Sequence, residues 1–234
     1  MTELFAQTLQ HHNRSEGGCV ADNGICPSWI ADNLDRYTTP FWQHVYLTLV
    51  SVAIGFAIAF ALALLAHRRR WLVGPIVQVT GILYTLPSVA VFFLLLPLTG
   101  RGDTTAIIAL VAYSLLILFR NFIAGFENVP AETRDAGRGM GLTQRQLLWR
   151  VELPLALPEI MAGLRIAVTT TVGLASLAFL AGAGGLGGAL FDDITFRSNV
   201  LVAGGLAVLL AVVLDLAILG VQKAITPWTR AAAQ

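Results

Sequence analysis

The chain reads as an all-α membrane protein, and three observations predict it. Of its 234 residues, 56% are hydrophobic and only 12% are charged, with a mean hydropathy of +0.72, whereas soluble domains carry about 25% charged residues. Charge-free runs at 45–66, 73–98 and 166–191 each exceed the roughly 20 residues with which a helix crosses a hydrocarbon core of about 30 Å. A β-barrel would show alternating strands of about ten residues, and the sequence has none.

Residues 1–43 read as an extracytoplasmic segment. No apolar core of about 7–15 residues marks a cleavable signal. Ser28 is placed to cap a short helix from Trp29 to Tyr37, and Trp29, Tyr37, Phe41 and Trp42 suit the outer interface, where aromatic rings collect. Cys19 and Cys26 fall here, where a disulfide is permitted; two free thiols are the alternative. Residues 44–225 form the transmembrane domain, with spans at about 45–66, 73–98, 104–124, 155–182 and 200–222. The third runs past Arg120, whose side chain can snorkel. The fifth is interrupted by Asp215. Residues 226–234 are a cytoplasmic tail.

Basic residues orient this bundle. With the N-terminus outside, the cytoplasmic side holds Arg68, Arg69 and Arg70, then Arg120, Arg134, Arg138, Arg145, Arg150 and Arg165, then Lys223 and Arg230. That is eleven of the fifteen basic residues. Only Arg14, Arg36, Arg101 and Arg197 lie outside. The excess of cytoplasmic Lys and Arg in membrane proteins favours this arrangement.

Several functions are excluded. The single lysine, Lys223, has no phosphate-binding loop around it. Gly182–Gly188 is rich in glycine but follows a membrane helix, with no strand before it, so it suits a turn or close helix packing. The histidines His11, His12, His44 and His67 lack metal-ligand spacing with Cys, Asp or Glu, and no nucleophile sits beside a base. Neither a metal centre nor a catalytic set is expected. Active transport would draw its energy from another polypeptide or an ion gradient.

The informative segment is the polar interval between spans three and four. Asn128 is placed to cap a helix with Pro130 in its first turn and Glu132 beside the positive dipole end. That helix runs to Met140 and stops at Gly141, a residue suited to a left-handed cap. Thr143 and Gln146 have capping-box spacing and begin a second short helix through Trp149. Pro154 and Pro158 open span four. Leu147, Leu148 and Val151 make an apolar face, while Arg145 and Arg150 face water or acidic groups. Two readings stand: a helix–turn–helix lever docked in a groove of a cytoplasmic subunit, or an amphipathic loop lying on anionic headgroups.

A resemblance favours the first. The segment is similar to the EAA motif of ABC importer permeases: E-A-A, three residues, Gly, nine residues, I-x-L-P. Asp135-Ala136-Gly137 stands in the EAA place, Gly141 is the glycine, and Val151-Glu152-Leu153-Pro154 closes the pattern without a gap. Asp for Glu, Gly for the second Ala and Val for Ile are departures. Gly81–Ser88, Gly139–Leu142, Val151–Pro158 and Gly182–Gly187 further resemble permeases of osmoprotectant importers, over about residues 28–225. The resemblance implies a type I ABC importer transmembrane domain of about five helices with a cytoplasmic coupling hairpin at 128–154. It implies cargo such as glycine betaine, carnitine, choline or related quaternary amines. The implied partners are cytoplasmic ATP-binding subunits, a second permease chain (itself or a paralogue), an external solute-binding protein and membrane lipid. ATP and Mg would be held by the partner ATPase, with no cofactor in this chain and no nucleic acid. Coupling would fall to Asp135, Ala136, Gly137, Gly141, Leu142, Leu147, Leu148, Val151, Leu153 and Pro154.

Within the bilayer, Leu86-Pro87 breaks span two, and the freed carbonyls must face protein or a water-lined path. Tyr84, Thr85, Pro87 and Ser88 are path candidates, Tyr84 offering a π face to a quaternary ammonium. A packing kink is the plainer reading. Asp215 is costly inside a span. It lines the path or is buried against a neighbouring helix, bonded to hydroxyls such as those of Thr169 to Thr171. Methionine or anion import, a stand-alone secondary transporter and a signalling scaffold are the rivals. The odd number of spans and the lack of an internal repeat speak against the secondary transporter.

Overall fold

The computed structural model describes residue 19 and residues 23–228; His11, His12, Arg14 and Arg230 lie outside the described residues. Among the described residues the chain is helical, without strands. Its helices are α1 (Pro27–Asp32), α2 (Thr38–Arg68), α3 (Val73–Thr85), α4 (Ser88–Thr99), α5 (Asp103–Glu127), α6 (Ala131–Gly139), α7 (Gln144–Leu147), α8 (Leu153–Ala175), α9 (Leu186–Asp192) and α10 (Arg197–Ile225).

α5 is the centre. It packs against α2 and α8, and α10 lies along the far side of α8. Small residues on α2 (Ala59, Ala63, Ala66) meet Leu118, Phe119, Phe122 and Phe126 of α5 and Ala156 and Ile160 of α8 in one core. A second core joins Leu47, Phe92, Ala106, Ala109 and Leu110 to the turn after α8 (Ala175, Ala178, Ala181). Without a hydrophobic drive between helices in lipid, such close contact of small and large side chains is what holds a bundle together.

Three segments are each long and apolar enough to cross a bilayer: Leu34–Arg68, Asp103–Glu127 and Arg197–Ile225. The span read at 73–98 is interrupted where the sequence placed its break, at Leu86-Pro87. α3 and α4 meet at a 97° bend, because Leu86 and Pro87 are extended and Pro87 has no N–H to continue the ladder. α8 is less apolar, carrying Glu159, Arg165 and three threonines. Its central place between α5 and α10 lets those groups find protein partners instead of lipid.

Other boundaries shift too. Span four does not reach 182: α8 stops at Ala175 and a 3-10 turn follows at Ala178–Ala181. The first span begins at Thr38, so Phe41 and Trp42 belong to it. Ser28 is not a cap; it lies within α1, and Cys26, the residue that precedes the helix, donates its N–H to Ser198 Oγ at 2.9 Å. Cys19 and Cys26 form a disulfide with Cα atoms 5.7 Å apart. Asn23 closes this strap onto the start of α10, donating to Thr195 O at 2.8 Å and accepting from Arg197 N at 3.1 Å. Tyr37 donates to Asn199 Oδ1 at 2.6 Å, and Trp29 meets Phe196 edge-on at 4.7 Å. The disulfide thus marks one end of the bundle and α6–α7 the other.

Candidate functional site

The α6–α7 hairpin is built by local chemistry. α6 begins at Ala131 after Pro130, whose ψ of 139° is extended; the cap expected at Asn128 is absent because Pro130 takes the capping place while Asn128 closes α5, its amide donating to Glu159 Oε1 at 3.4 Å. At the other end Gly141 N–H reaches Arg138 O at 2.9 Å and Leu142 N–H reaches Gly137 O at 3.2 Å. This is the paired-bond pattern that ends helices on a left-handed residue, and Gly141 has φ of +80°. The Thr143–Gln146 capping box is present in both directions, with Thr143 N–H to Gln146 Oε1 at 2.9 Å and Gln146 N–H to Thr143 Oγ1 at 3.3 Å.

The second helix does not stop at Trp149. α7 ends at Leu147 and continues through a π turn, Leu148–Glu152, into α8. Such turns widen a helix by one residue without breaking it, so hairpin and span form one rod. Pro154 follows directly on the π turn, at the start of α8.

The apolar face expected to dock on a partner is turned inward. Leu147 is 1% exposed and Leu148 6%; Leu148 joins the core with Phe122 and Phe126. Leu147 lies so close to α6 that a Cβ on Gly137 would stand 2.6 Å from its Cδ1, so alanine there would require the leucine to shift. Val151 and Leu153 are half-buried. The outward surface is instead Met140, 74% exposed at the tip, with Gln144, Arg145, Trp149 and Arg150. Asp135 is exposed and pairs with Arg138 at 3.1 Å within its own helix.

Arg134 is not free for a partner. Its Nε stands 3.0 Å from Glu152 Oε1, and it donates to Phe126 O at the end of α5. The other oxygen of Glu152 meets His67 Nε2 at 2.9 Å, and His67 rests on the Phe126 ring. Glu152 is 4% exposed, a depth at which acids are almost never found unless paired. Its one sequence signal was an acid inside the apolar run Val151–Leu157.

At the bend between α3 and α4, Tyr84, Thr85, Leu86 and Pro87 are exposed on the surface of this chain, and Ser88 is half-buried. Tyr113 of α5 donates its hydroxyl to Leu86 O at 2.5 Å, filling an acceptor left by the break. Tyr84 and Tyr113 meet edge-on at 5.9 Å. Thr85 bonds back to Ile82 O.

Asp215 is held by Arg165, Oδ1 to Nε and Oδ2 to Nη2, both at 2.8 Å. Of the threonine hydroxyls expected for it, that of Thr169 bonds instead to Arg165 O. Arg165 itself belongs to the interior of α8 and not to the cytoplasmic loop, because two helix faces seven residues apart align it with Asp215 and Pro158 with Gln222. At the disulfide end, buried His44 links the glycine loop to α8: its Nδ1 accepts from Leu186 N–H at 3.3 Å, so its Nε2 carries the proton donated to Val172 O at 3.0 Å. No periodicity announced that role. Gly187 sits against the Ser176 carbonyl with no room for a Cβ. Among the described residues no group of acids, histidines or cysteines could hold a metal ion.

Residues 42–231 match the family described as binding-protein-dependent transport system inner membrane component. The chain is 37% identical to the osmoprotectant import permease protein OsmW of Salmonella typhimurium, over 85% of this chain and 96% of that one. It is 35% identical to the carnitine transport permease protein OpuCB of Listeria monocytogenes, covering 80% and 86%. It is 34% identical to the choline transport system permease protein OpuBB of Bacillus subtilis, covering 80% and 87%. Among solved structures, the inward-facing MetNI methionine ABC transporter has a similar fold, with a TM-score of 0.74 over 81% of this chain and 96% of that one at 24% identity.

Proposed function

The chain belongs to the family of binding-protein-dependent transport system inner membrane components, and from that premise we propose that it is the permease subunit of an ATP-driven importer of osmoprotectants. The observation that carries the cargo class is the naming of its relatives. Those at 32–37% identity, covering about four-fifths of the chain or more, are permeases for osmoprotectants, carnitine, choline or glycine betaine. The methionine transporter, at 24% identity, speaks for the fold and not for the cargo.

In this reading two permease chains enclose a path, two cytoplasmic ATPase subunits drive it, and an external receptor delivers the solute. The chain itself hydrolyses nothing; ATP and Mg belong to the ATPase. The hairpin tip docks on that ATPase through Met140, Trp149, Arg145 and Arg150. Exposed charge pairs contribute only about 0–1 kcal/mol each, so Met140, exposed at the tip, carries most of the contact, with the half-exposed Trp149 set back against Phe60 of α2. Because α7, the π turn and α8 are one rod, movement of the tip reaches the middle of the bundle directly. A disulfide persists in oxidising compartments. The Cys19–Cys26 end is therefore the external face, and the hairpin, at the opposite end, is cytoplasmic.

Tyr84, Thr85, Pro87 and Ser88 line the path at the bend. Tyr84, whose ring is braced by Tyr113, presents the π face that attracts a quaternary ammonium. Reconstituted importer assayed with radiolabelled glycine betaine, carnitine, choline, methionine and an oxyanion tests the cargo. Accumulation of a quaternary amine, with methionine and oxyanion excluded, is expected; the reverse selectivity overturns the assignment.

A further inference from the structure

We propose that Glu152 is a positioning residue: it tethers the docking hairpin to the inner ends of the spans, so that ATPase motion becomes solute movement. The inference rests on the permease reading above and assigns a role to a residue outside the docking surface and outside the path.

Four elements converge on this carboxylate. His67 comes from the last turn of α2, and Arg134 from α6. Arg134 also ties to the carbonyl of Phe126 near the end of α5. Glu152 itself is the last residue of the π turn that leads into α8. Leu148 and Glu152, four residues apart and so on one face of the rod, both turn inward while Trp149 and Arg150 stay outside.

Without the tether α6 would be joined to the rest by a turn at each end, by the Leu147–Gly137 contact and by the single Arg134 bond to Phe126 O. A force applied at Met140 would then swing α6 about those turns. With it, α6, α8, and the ends of α2 and α5 move as one body. A buried carboxylate paired with a guanidinium is well suited to the task, because removing either of the two leaves the other's charge uncompensated and the pair resists opening. The contrast with the outer pairs is instructive: Arg70–Glu127 and Arg138–Asp135 are exposed on both sides and yield easily to water.

The test uses the complete importer in vesicles, measuring uptake and ATP hydrolysis together. In Glu152→Gln the ATPase subunits are expected to co-purify as in wild type and hydrolysis to persist, while solute moved per ATP falls by about tenfold, within the usual range of coupling between sites. In the double variant Arg134→Cys, Glu152→Cys the same loss is expected, and a bifunctional methanethiosulfonate joining the two thiols restores uptake. Cys19 and Cys26 are already bridged, so the new pair supplies the reactive thiols. Uptake and hydrolysis falling in proportion, unchanged uptake in Glu152→Gln, or uptake that stays low after bridging would each overturn the tether. If the glutamine variant does not assemble, the comparison of one cysteine-pair preparation before and after bridging decides. A wild-type assembly that accumulates solute without ATP removes the permease reading itself, a failure visible before any variant is made.

Discussion

Replacing Gly141 by leucine isolates the hairpin turn from everything else. No atom lies within 4 Å of the position a Cβ would take, and φ is +80°. The cost is therefore backbone strain alone, about 1–2 kcal/mol for an L-residue in the left-handed region. A difference of that size moves a two-state balance about 5–30-fold, enough to populate a rearranged turn. The two bonds that shape the tip, Gly141 N to Arg138 O and Leu142 N to Gly137 O, would be strained with it. None of the core side chains is touched, so membrane insertion and thermal stability should stay near wild type. ATP-dependent uptake should fall about fivefold or more, while Gly141→Asn, which tolerates the same conformation, should retain most activity. Uptake in vesicles and the melting temperature of the purified assembly check both halves. Equal loss in the leucine and asparagine variants would refute the backbone argument, and unimpaired uptake in Gly141→Leu would refute the role of the turn.

Further outcomes follow from other contacts. Arg165→Met or Asp215→Asn alone leaves one unpartnered charge between α8 and α10, whereas Arg165→Met with Asp215→Leu leaves none. Folded yield should be lower in either single variant than in the double, and additive losses would contradict the pairing. Tyr113→Phe removes the hydroxyl from Leu86 O at the bend and should cost about 1 kcal/mol, seen as a lower melting temperature; an unchanged melting temperature would mean that the carbonyl needs no partner there. Cys19 and Cys26 should resist a membrane-impermeant maleimide until an impermeant reductant is added from outside. Labelling that requires permeabilised vesicles would reverse the orientation.

What the sequence disclosed was local, though not every local cap, for Ser28 and Asn128 do not cap the helices read after them. The Thr143–Gln146 box, the stop at Gly141 and the break at Pro87 are local events, set by a side chain or a φ preference, and each is present. What it concealed was partnership across the bundle. Leu147 and Leu148 looked like a docking face because an apolar stripe on a short helix does not say which neighbour covers it; Gly137 and the α5 phenylalanines do. Arg134 and Arg165 counted as cytoplasmic charge, yet one serves Glu152 and the other Asp215, 50 residues away. His44 gave no sign at all, since its partners are backbone groups of residues 172 and 186. The right angle at residues 86–87 was also beyond reach, for a proline predicts a break and not its size.

The central claim is that work done on nucleotide elsewhere enters this chain through the α6–α7 hairpin. The most direct measurement is solute accumulation in vesicles containing this chain alone, then with its receptor and ATPase, with ATP supplied on the hairpin side. Accumulation against a gradient only in the full assembly, and only with ATP on that side, is the predicted result. Accumulation by the chain alone, driven by an ion gradient, would contradict it.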